Sequence, residues 1–348
     1  MKSLDQLLRS NIKELKPYSS ARDEYNGEAA VFLDANENPF NSPYNRYPDP
    51  HQRELKARIA EIKCLPAENI FLGNGSDEAI DITIRAFCEP GIDNIVSISP
   101  TYGMYQVAAD INNIEVRKVL LTADFQLDTR AIFDAADENT KIIFLCSPNN
   151  PTGNCFRKED IGEIINTFQG IVIIDEAYID FAPEKSWLPE LKNNPNLIIF
   201  QTFSKAWGMA GIRLGMAFAE KSIINVFSKI KYPYNVNNLT QKKALELLNK
   251  SQNMQKWVEE LLSEKQNLIA QLKKMPFVQT IYPSDANFIL IKTDAPKKIY
   301  NFLVENKIII RDRSNVALCE GCLRITVGTP EENRKLIETM KRAPVSGG

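Results

Sequence analysis

One histidine, His51, serves the whole 348-residue chain. A metal site built from several imidazoles, or an HExxH helix, therefore cannot be assembled. A Ser-His-Asp triad would have to use His51, inside the proline-rich run Tyr47-Pro-Asp-Pro-His51, which is a poor platform for one. No apolar run approaches the roughly 18 residues of a membrane span, and Met1-Lys-Ser-Leu-Asp5 lacks a signal-peptide core. Neither charge sign dominates: 42 Lys+Arg face 44 Asp+Glu, so a nucleic-acid partner has no electrostatic support. Six cysteines (64, 88, 146, 155, 319 and 322) in so long a chain do not make a disulfide framework. Cys319-Glu-Gly-Cys322 is a lone CxxC with no further zinc ligands at suitable spacing, and both thiols read as incidental. The expectation is a cytoplasmic protein with reduced thiols, no metal, no membrane partner, no internal repeats and no low-complexity segments.

What is present is a 44% hydrophobic content, enough for a sizeable core, in an alternating pattern. Leu4, Leu7, Leu8, Ile12 and Leu15 sit at helical spacing, predicting one N-terminal helix ended by Pro17. Val31-Phe-Leu33 reads as a short strand, and residues 53–62 as a helix. From Ile70 onward strands and helices alternate. Strands are predicted at 70–72, 95–98, 115–119, 141–145, 171–174, 197–200 and 214–218, with helices at 77–87, 102–110 and 160–168. That order implies a mainly parallel sheet covered on both faces, with ligands at the carboxyl ends of its strands. The turns at 73–77, 147–153, 175–178 and 202–205 all fall at those ends. After Pro233 the character changes. A long helix over 238–274, unbroken or in two pieces, is followed by strands at 288–291, 308–310 and 323–327 and helices near 297–306 and 331–342, which suggests a smaller α+β domain.

The run Phe200-Gln-Thr-Phe-Ser-Lys205-Ala-Trp-Gly-Met-Ala-Gly-Ile-Arg213 carries the most chemistry. An amine flanked by the Thr202 and Ser204 hydroxyls, with Arg213 eight positions on, is what an aldehyde cofactor with a phosphate arm requires. The amine condenses with the aldehyde; the hydroxyls and guanidinium hold the phosphate. Phe203, Ala206 and Trp207 argue for partial burial of Lys205 over a solvated surface charge, and a desolvated lysine is the better nucleophile. Asp175 ends the apolar run Ile171-Val-Ile-Ile, where it either caps a helix or pairs with a protonated pyridine nitrogen. These residues together point to pyridoxal phosphate (PLP).

The remaining motifs are ambiguous singly. Gly73-Asn-Gly75-Ser-Asp77 is a strand-to-helix turn that can also seat phosphate. Tyr102 either packs or stacks on a planar ring. Pro148-Asn-Asn150-Pro-Thr-Gly153 is an ordinary turn signal, or places Asn150 against a ring oxygen that Tyr178 could also reach. Arg324 in Leu323-Arg-Ile-Thr-Val, and Arg311 and Arg313 after Ile308-Ile-Ile310, either face solvent or form a fork for a substrate carboxylate or phosphate.

Taken nearly end to end, the chain resembles the fold-type I PLP-dependent aminotransferases, within them the histidinol-phosphate aminotransferase subgroup. The resemblance rests on Pro17-Tyr18, Leu33-Asp-Ala-Asn-Glu-Asn-Pro39, Arg46-Tyr-Pro-Asp-Pro50, Gly73-Asn-Gly-Ser-Asp-Glu78, Ser147-Pro-Asn-Asn-Pro-Thr-Gly153, Asp175-Glu-Ala-Tyr178, Thr202-Phe-Ser-Lys205, Ile212-Arg-Leu-Gly215, Ile310-Arg-Asp312 and Cys322-Leu-Arg-Ile-Thr-Val-Gly328. The middle motifs are shared across related aminotransferases; the Arg-Tyr-Pro-Asp-Pro run and the paired arginines near the end are more particular. The resemblance implies an α/β fold: an arm over residues 1–30, a large PLP-binding domain with a mainly parallel seven-stranded sheet over 31–235, and a small α+β domain over 236–348. It implies Lys205 as the amine that binds the cofactor and shuttles protons, Asp175 on the pyridine nitrogen and Asn150 and Tyr178 at the ring oxygen. Tyr102 would stack on the ring, with Gly75, Ser76, Asp77, Thr202, Ser204 and Arg213 around the phosphate. Tyr47 would reach a neighbouring subunit's site in a homodimer. Tyr18, Asn36, Tyr47, Asn150, Arg311 and Arg324 would bind the substrate. The implied reaction is transamination between L-histidinol phosphate and 2-oxoglutarate in histidine biosynthesis. An aromatic amino acid aminotransferase, and a PLP decarboxylase of a phosphorylated amino acid, stay open as alternatives.

Overall fold

A computed structural model gives the fold and describes residues 2–19 and 31–344. The arm expected over residues 1–30 is therefore covered only as far as residue 19. Two short helices open the chain, α1 (Leu4–Leu7) and α2 (Ser10–Glu14), where one was expected. Leu8 and Arg9 between them are extended, because Arg9 is drawn into tertiary bonds: its N–H donates to Ala86 O at 3.1 Å and its guanidinium to Arg85 O at 3.2 Å. Those bonds replace the ones a continuous helix would have made. Residues 31–33 are not a strand; Val31 and Leu33 are 72% and 92% exposed, and no strand among the described residues pairs with them.

After α3 (Arg53–Lys63) comes the βα series: β1 (Ile70–Asn74), α4 (Ser76–Phe87), β2 (Asn94–Ser99), α5 (Met104–Ile111), β3 (Glu115–Leu120), α6 (Thr129–Ala135), β4 (Thr140–Cys146), α7 (Lys158–Thr167), β5 (Ile171–Asp175), β6 (Leu197–Thr202), β7 (Leu214–Ala219) and α8 (Lys221–Ile230). Helices α6 and α8 were not anticipated, although α8 puts Ile223, Ile224, Val226 and Phe227 on one buried face. The seven strands form one sheet in the order β1-β7-β6-β5-β4-β2-β3. Only β7 runs against the rest, antiparallel to β1 and to β6.

Burial on both sides is what a parallel sheet demands, and the residues alternate accordingly. Ile143, Leu145, Val172 and Ile174 join one core cluster; Ile142, Phe144, Ile171 and Ile173 join the other, with α4, α5 and α8. Period-two alternation puts Asp175, Thr202 and Gly215 on this second face.

The charged stretch after residue 237 is two helices, α9 (Asn238–Leu248) and α10 (Ser251–Leu272). A second sheet, ordered β10-β11-β9-β8, comprises β8 (Val278–Ile281), β9 (Phe288–Thr293), β10 (Arg311–Asp312) and β11 (Cys322–Thr326), with α11 (Pro296–Glu305) and α12 (Pro330–Met340). Edge strand β8 was not anticipated. The strand expected at 308–310 is displaced: Ile309 is 73% exposed and pairing begins at Arg311. One face of this sheet packs on its own helices through Ile289, Ile291, Leu323 and Ile325. The other face, through Phe288, Leu290 and Cys322, joins the large sheet's core cluster.

Candidate active site

The carboxyl ends of β1, β2, β4, β5 and β6 lie along one edge of the large sheet, so the segments that follow them converge. Asn149 stitches two of these loops: its side-chain amide donates to Pro100 O at 2.9 Å and to Thr152 Oγ1 at 2.8 Å, and its Oδ1 accepts from Thr101 at 2.9 Å. That leaves the neighbouring Asn150, also buried, to face the site.

Asp175 is 2% exposed at the tip of β5. Oδ2 accepts from the Tyr105 hydroxyl at 2.7 Å and Oδ1 from the Ala177 N–H at 3.1 Å. The second bond closes a local turn, not the helix cap that the sequence left open as an alternative, and it occupies only part of the carboxylate. Burial pushes the Asp175 carboxyl up to about 6, against the pull of Tyr105, the Ala177 amide and Lys205. Its chain neighbour Glu176 is equally buried on the opposite face and takes three donors: Ser186, the Trp187 N–H and Gln201. Glu176 is a closed structural carboxylate, whereas Asp175 keeps lone pairs in reserve.

Lys205 is half-buried, with Nζ 5.5 Å from the centre of the Tyr178 ring. Burial, then the Arg324 charge, lower its amine from the ordinary lysine range, with Asp175 and Asp77 pulling the other way. Tyr178 is buried edge-on against Phe288, and burial raises its phenol.

Gly75, with φ at +76°, turns β1 into α4, and its N–H donates to Arg213 O at 2.9 Å. The first amides of that helix, Ser76 and Asp77, have no intrahelical partner. A Cβ at Gly75 would meet an Arg213 nitrogen at 2.6 Å, and one at Gly215 would meet Ser76 N at 2.2 Å. Gly75 is required by its left-handed φ, since the Arg213 tip could move aside, whereas Gly215 is forced by close approach to the Gly75–Ser76 backbone and is a site residue to which the sequence reading gave no role. Asp77 accepts from the Tyr102 hydroxyl at 3.0 Å and pairs with Arg213 at 3.4 Å. The Thr202 hydroxyl accepts from the Ser204 N–H at 3.1 Å.

From the small sheet, Arg324 lies over the Phe288 ring at 5.2 Å and donates through Nη1 to Asn150 Oδ1. Arg311 is its partner across the β10–β11 pair and is exposed at the rim. Thus Asn150, Asp175, Tyr178, Lys205 and Arg324 form one group, joined through Asp77 to Tyr102 and Arg213. Asn36 and Tyr47 are not part of it. They line a separate cleft of about 440 Å³ with Arg46, Asn237 and Asn238, where Tyr47 stacks on Tyr234 at 4.4 Å. Tyr18 is 69% exposed on the segment after α2.

Tyr105 was the chief omission. The sequence reading gave it no role; only its tertiary placement, stacked on Phe144 of β4, reveals its bond to Asp175. The expected cofactor fits these residues. A spare-valence buried acid suits a ring nitrogen, an amine whose pKa burial lowers suits an aldehyde, and free helix amides beside Arg213 suit a phosphate. His51 is exposed, and among the described residues no cluster could hold a metal.

A family model described as aminotransferase class I and II matches residues 26–340. The chain is 60% identical over 341 residues to the histidinol-phosphate aminotransferase of Parabacteroides distasonis, covering 98% of this chain and 99% of that one. Its fold is similar to the solved histidinol-phosphate aminotransferase from Clostridium acetobutylicum: TM-score 0.78, 26% identity, 85% of this chain and 90% of that one. It is also similar, in fold, to the Sinorhizobium meliloti histidinol-phosphate aminotransferase in complex with pyridoxal-5'-phosphate: TM-score 0.76, 22% identity, 85% and 83% of the two chains.

Proposed function

The chain belongs to the aminotransferase class I and II family, and on that premise we propose that it transfers an amino group between L-histidinol phosphate and 2-oxoglutarate, a step of histidine biosynthesis. It is a PLP-dependent transaminase. One contact supports the substrate reading above others: Arg324, carried by the small sheet, reaches Asn150 beside the lysine, so a fork for an anion sits next to the amine. Relatives bearing the histidinol-phosphate aminotransferase name over nearly the whole chain support it independently.

When bound, the cofactor supplies an aldehyde for the substrate amine and a ring that draws electrons from the substrate Cα. Lys205 Nζ, its pKa lowered by burial and Arg324, acts as nucleophile and as the base that takes and returns the Cα proton. Asp175 holds the proton on the ring nitrogen, and Tyr105 keeps its carboxylate oriented. Asn150 and Tyr178 serve the ring oxygen and Tyr102 its face. The backbone at Gly75, Ser76 and Asp77, with Thr202, Ser204 and Arg213, holds the phosphate. Arg311 and Arg324 bind the anionic end of either substrate, since a guanidinium pairs bidentately with phosphate and carboxylate alike.

Tyr18, Asn36 and Tyr47 lie apart from this group within one chain, which accords with their completing a partner subunit's site in a homodimer. The same reading divides the chain at about residue 30, before the large sheet, and at about residue 235, between the two sheets, and puts the enzyme in the cytoplasm.

Half-reaction spectroscopy tests the substrate. The holoenzyme, mixed separately with histidinol phosphate, phenylalanine and tyrosine, should convert its cofactor from the aldehyde to the amine form fastest with histidinol phosphate. Faster conversion by the aromatic amino acids would move the assignment to an aromatic aminotransferase, and release of carbon dioxide from a phosphorylated amino acid to a decarboxylase.

A further inference from the structure

Arg313 has no place in the roles above, yet the sheet geometry brings it to the same site. In β11, Leu323 and Ile325 pack into the small sheet's own core, while Cys322 packs toward the large sheet. Arg324 shares the Cys322 face, in keeping with its contacts to Phe288 and Asn150. Arg311 lies directly opposite Arg324, so its side chain leaves on that face. Arg313 follows two residues later and is still tied to the ladder, its N–H donating to Cys322 O at 2.9 Å. Alternation therefore returns Arg313 to the Arg311 face. Asp312, between them, is turned away and accepts from the Ser314 N–H at 2.8 Å.

Three guanidiniums thus share one face, and the carboxylate acting on them is Asp312, which pulls on Arg313 through its charge without forming an ion pair. Among the described residues none of the three pairs with a carboxylate, and the Nε atoms of Arg313 and Arg324 are buried with no hydrogen-bond partner. The groups feel one another: burial first, then Arg313, then Arg311 hold Arg324 down to about 10, and the Tyr178 phenol lies within the field of both Arg324 and Arg313. Crowded like charges and unsatisfied buried donors both cost free energy in the empty site. An anion brought there relieves both costs.

The charge of that anion decides what the third arginine is for. Two forks suffice for a carboxylate, with one charge and two oxygens. A phosphate monoester at neutral pH carries roughly 1.5–2 negative charges and three acceptor oxygens. Resting on the substrate reading given above, we propose that Arg313 is a specificity-determining residue that binds the phosphate end of the amino substrate and discriminates it from the carboxylate of glutamate.

The test compares wild-type, Arg313→Gln and Arg313→Lys holoenzymes in half-reactions with histidinol phosphate and with glutamate, and in inhibition by inorganic phosphate. One lost charge-assisted hydrogen bond predicts a roughly 10- to 100-fold fall in kcat/KM for histidinol phosphate in Arg313→Gln. Glutamate turnover should stay within about threefold, since two forks remain for a carboxylate. Inhibition by inorganic phosphate should weaken about as much as histidinol phosphate turnover. Arg313→Lys should recover part of the loss, and the defect should shrink as pH falls below about 6, where phosphate becomes a monoanion. Equal loss on both substrates, or unchanged phosphate inhibition, would overturn the proposal. Should Arg313→Gln fold poorly, Arg313→Lys decides, since it keeps the charge without the fork: a partial defect confined to phosphate ligands supports the assignment, and none overturns it. A wild-type enzyme inert toward histidinol phosphate would sink the substrate reading instead, while the inorganic-phosphate arm still judges Arg313.

Discussion

Asp175 and Arg324 sit on strands of different sheets, and their surroundings differ in kind. On the large sheet the polar groups are braced before any ligand arrives: Asp175 by Tyr105 and Ala177, Asp77 by Tyr102 and Arg213, Asn149 by two loops. On the small sheet, three arginines share a face with two buried donors unmet. A permanent guest is served by a seat that needs no rearrangement when the guest binds. A site that must take two different anions in turn is served by surplus donors. The two halves therefore separate cofactor retention from substrate choice, and substitutions should separate them too.

Lys205→Ala should have the largest effect, a loss of turnover of at least about 10³-fold, because it removes both nucleophile and base. It should leave the cofactor-free protein no less stable in thermal unfolding, since Nζ has no ion pair among the described residues. Retained turnover would break the assignment of the amine.

Asp175→Asn should cost about 10²-fold or more in turnover yet stabilise the cofactor-free protein at neutral pH. The folded carboxyl titrates near 6, above an unfolded value of about 3.9. The stability linked to its proton is whole below about pH 4 and disappears as pH rises through 6. Above that, an ionised carboxylate remains buried at a cost of at most about 3 kcal/mol. The Asn variant escapes that cost, so its melting temperature should exceed wild type by a few degrees near pH 7.5 and converge with it toward pH 4. A gap that widens on acidification would show the carboxyl to be depressed instead of raised.

Tyr105→Phe keeps the ring that stacks on Phe144 and deletes one donor to Asp175. The expected result is a roughly tenfold weaker hold on the cofactor, from about 1–2 kcal/mol of lost orientation, read as faster cofactor loss by absorbance. An unchanged hold would reduce Tyr105 to packing. At the other extreme, Arg313→Gln should leave cofactor retention untouched; if it released cofactor as Tyr105→Phe does, the contrast between the two sheets would fail.

Much of the large sheet was legible because its central strands, such as β4 and β5, are apolar runs between turn residues, and a strand buried on both faces has no other composition available. The lysine, its hydroxyls and Asp175 were legible because they lie close together in sequence or at the end of such a run. Elements whose signal is short or shared were less so. Edge strand β8 is only partly buried. The N-terminal helix has a continuous apolar period but breaks at Arg9, whose partners lie over 70 residues away.

By itself the sequence determined the alternation of strands and helices, and which residue types stand at the strand ends, since both follow from local periodicity and turn chemistry. It could not determine that Tyr105 reaches Asp175, that Gly215 must lack a side chain against Ser76, or that Arg324 meets Asn150. Those meetings join residues 70, 139 and 174 positions apart (105 to 175, 76 to 215, 150 to 324). Only the strand order and the packing of the small sheet over the large one bring such groups within hydrogen-bond range.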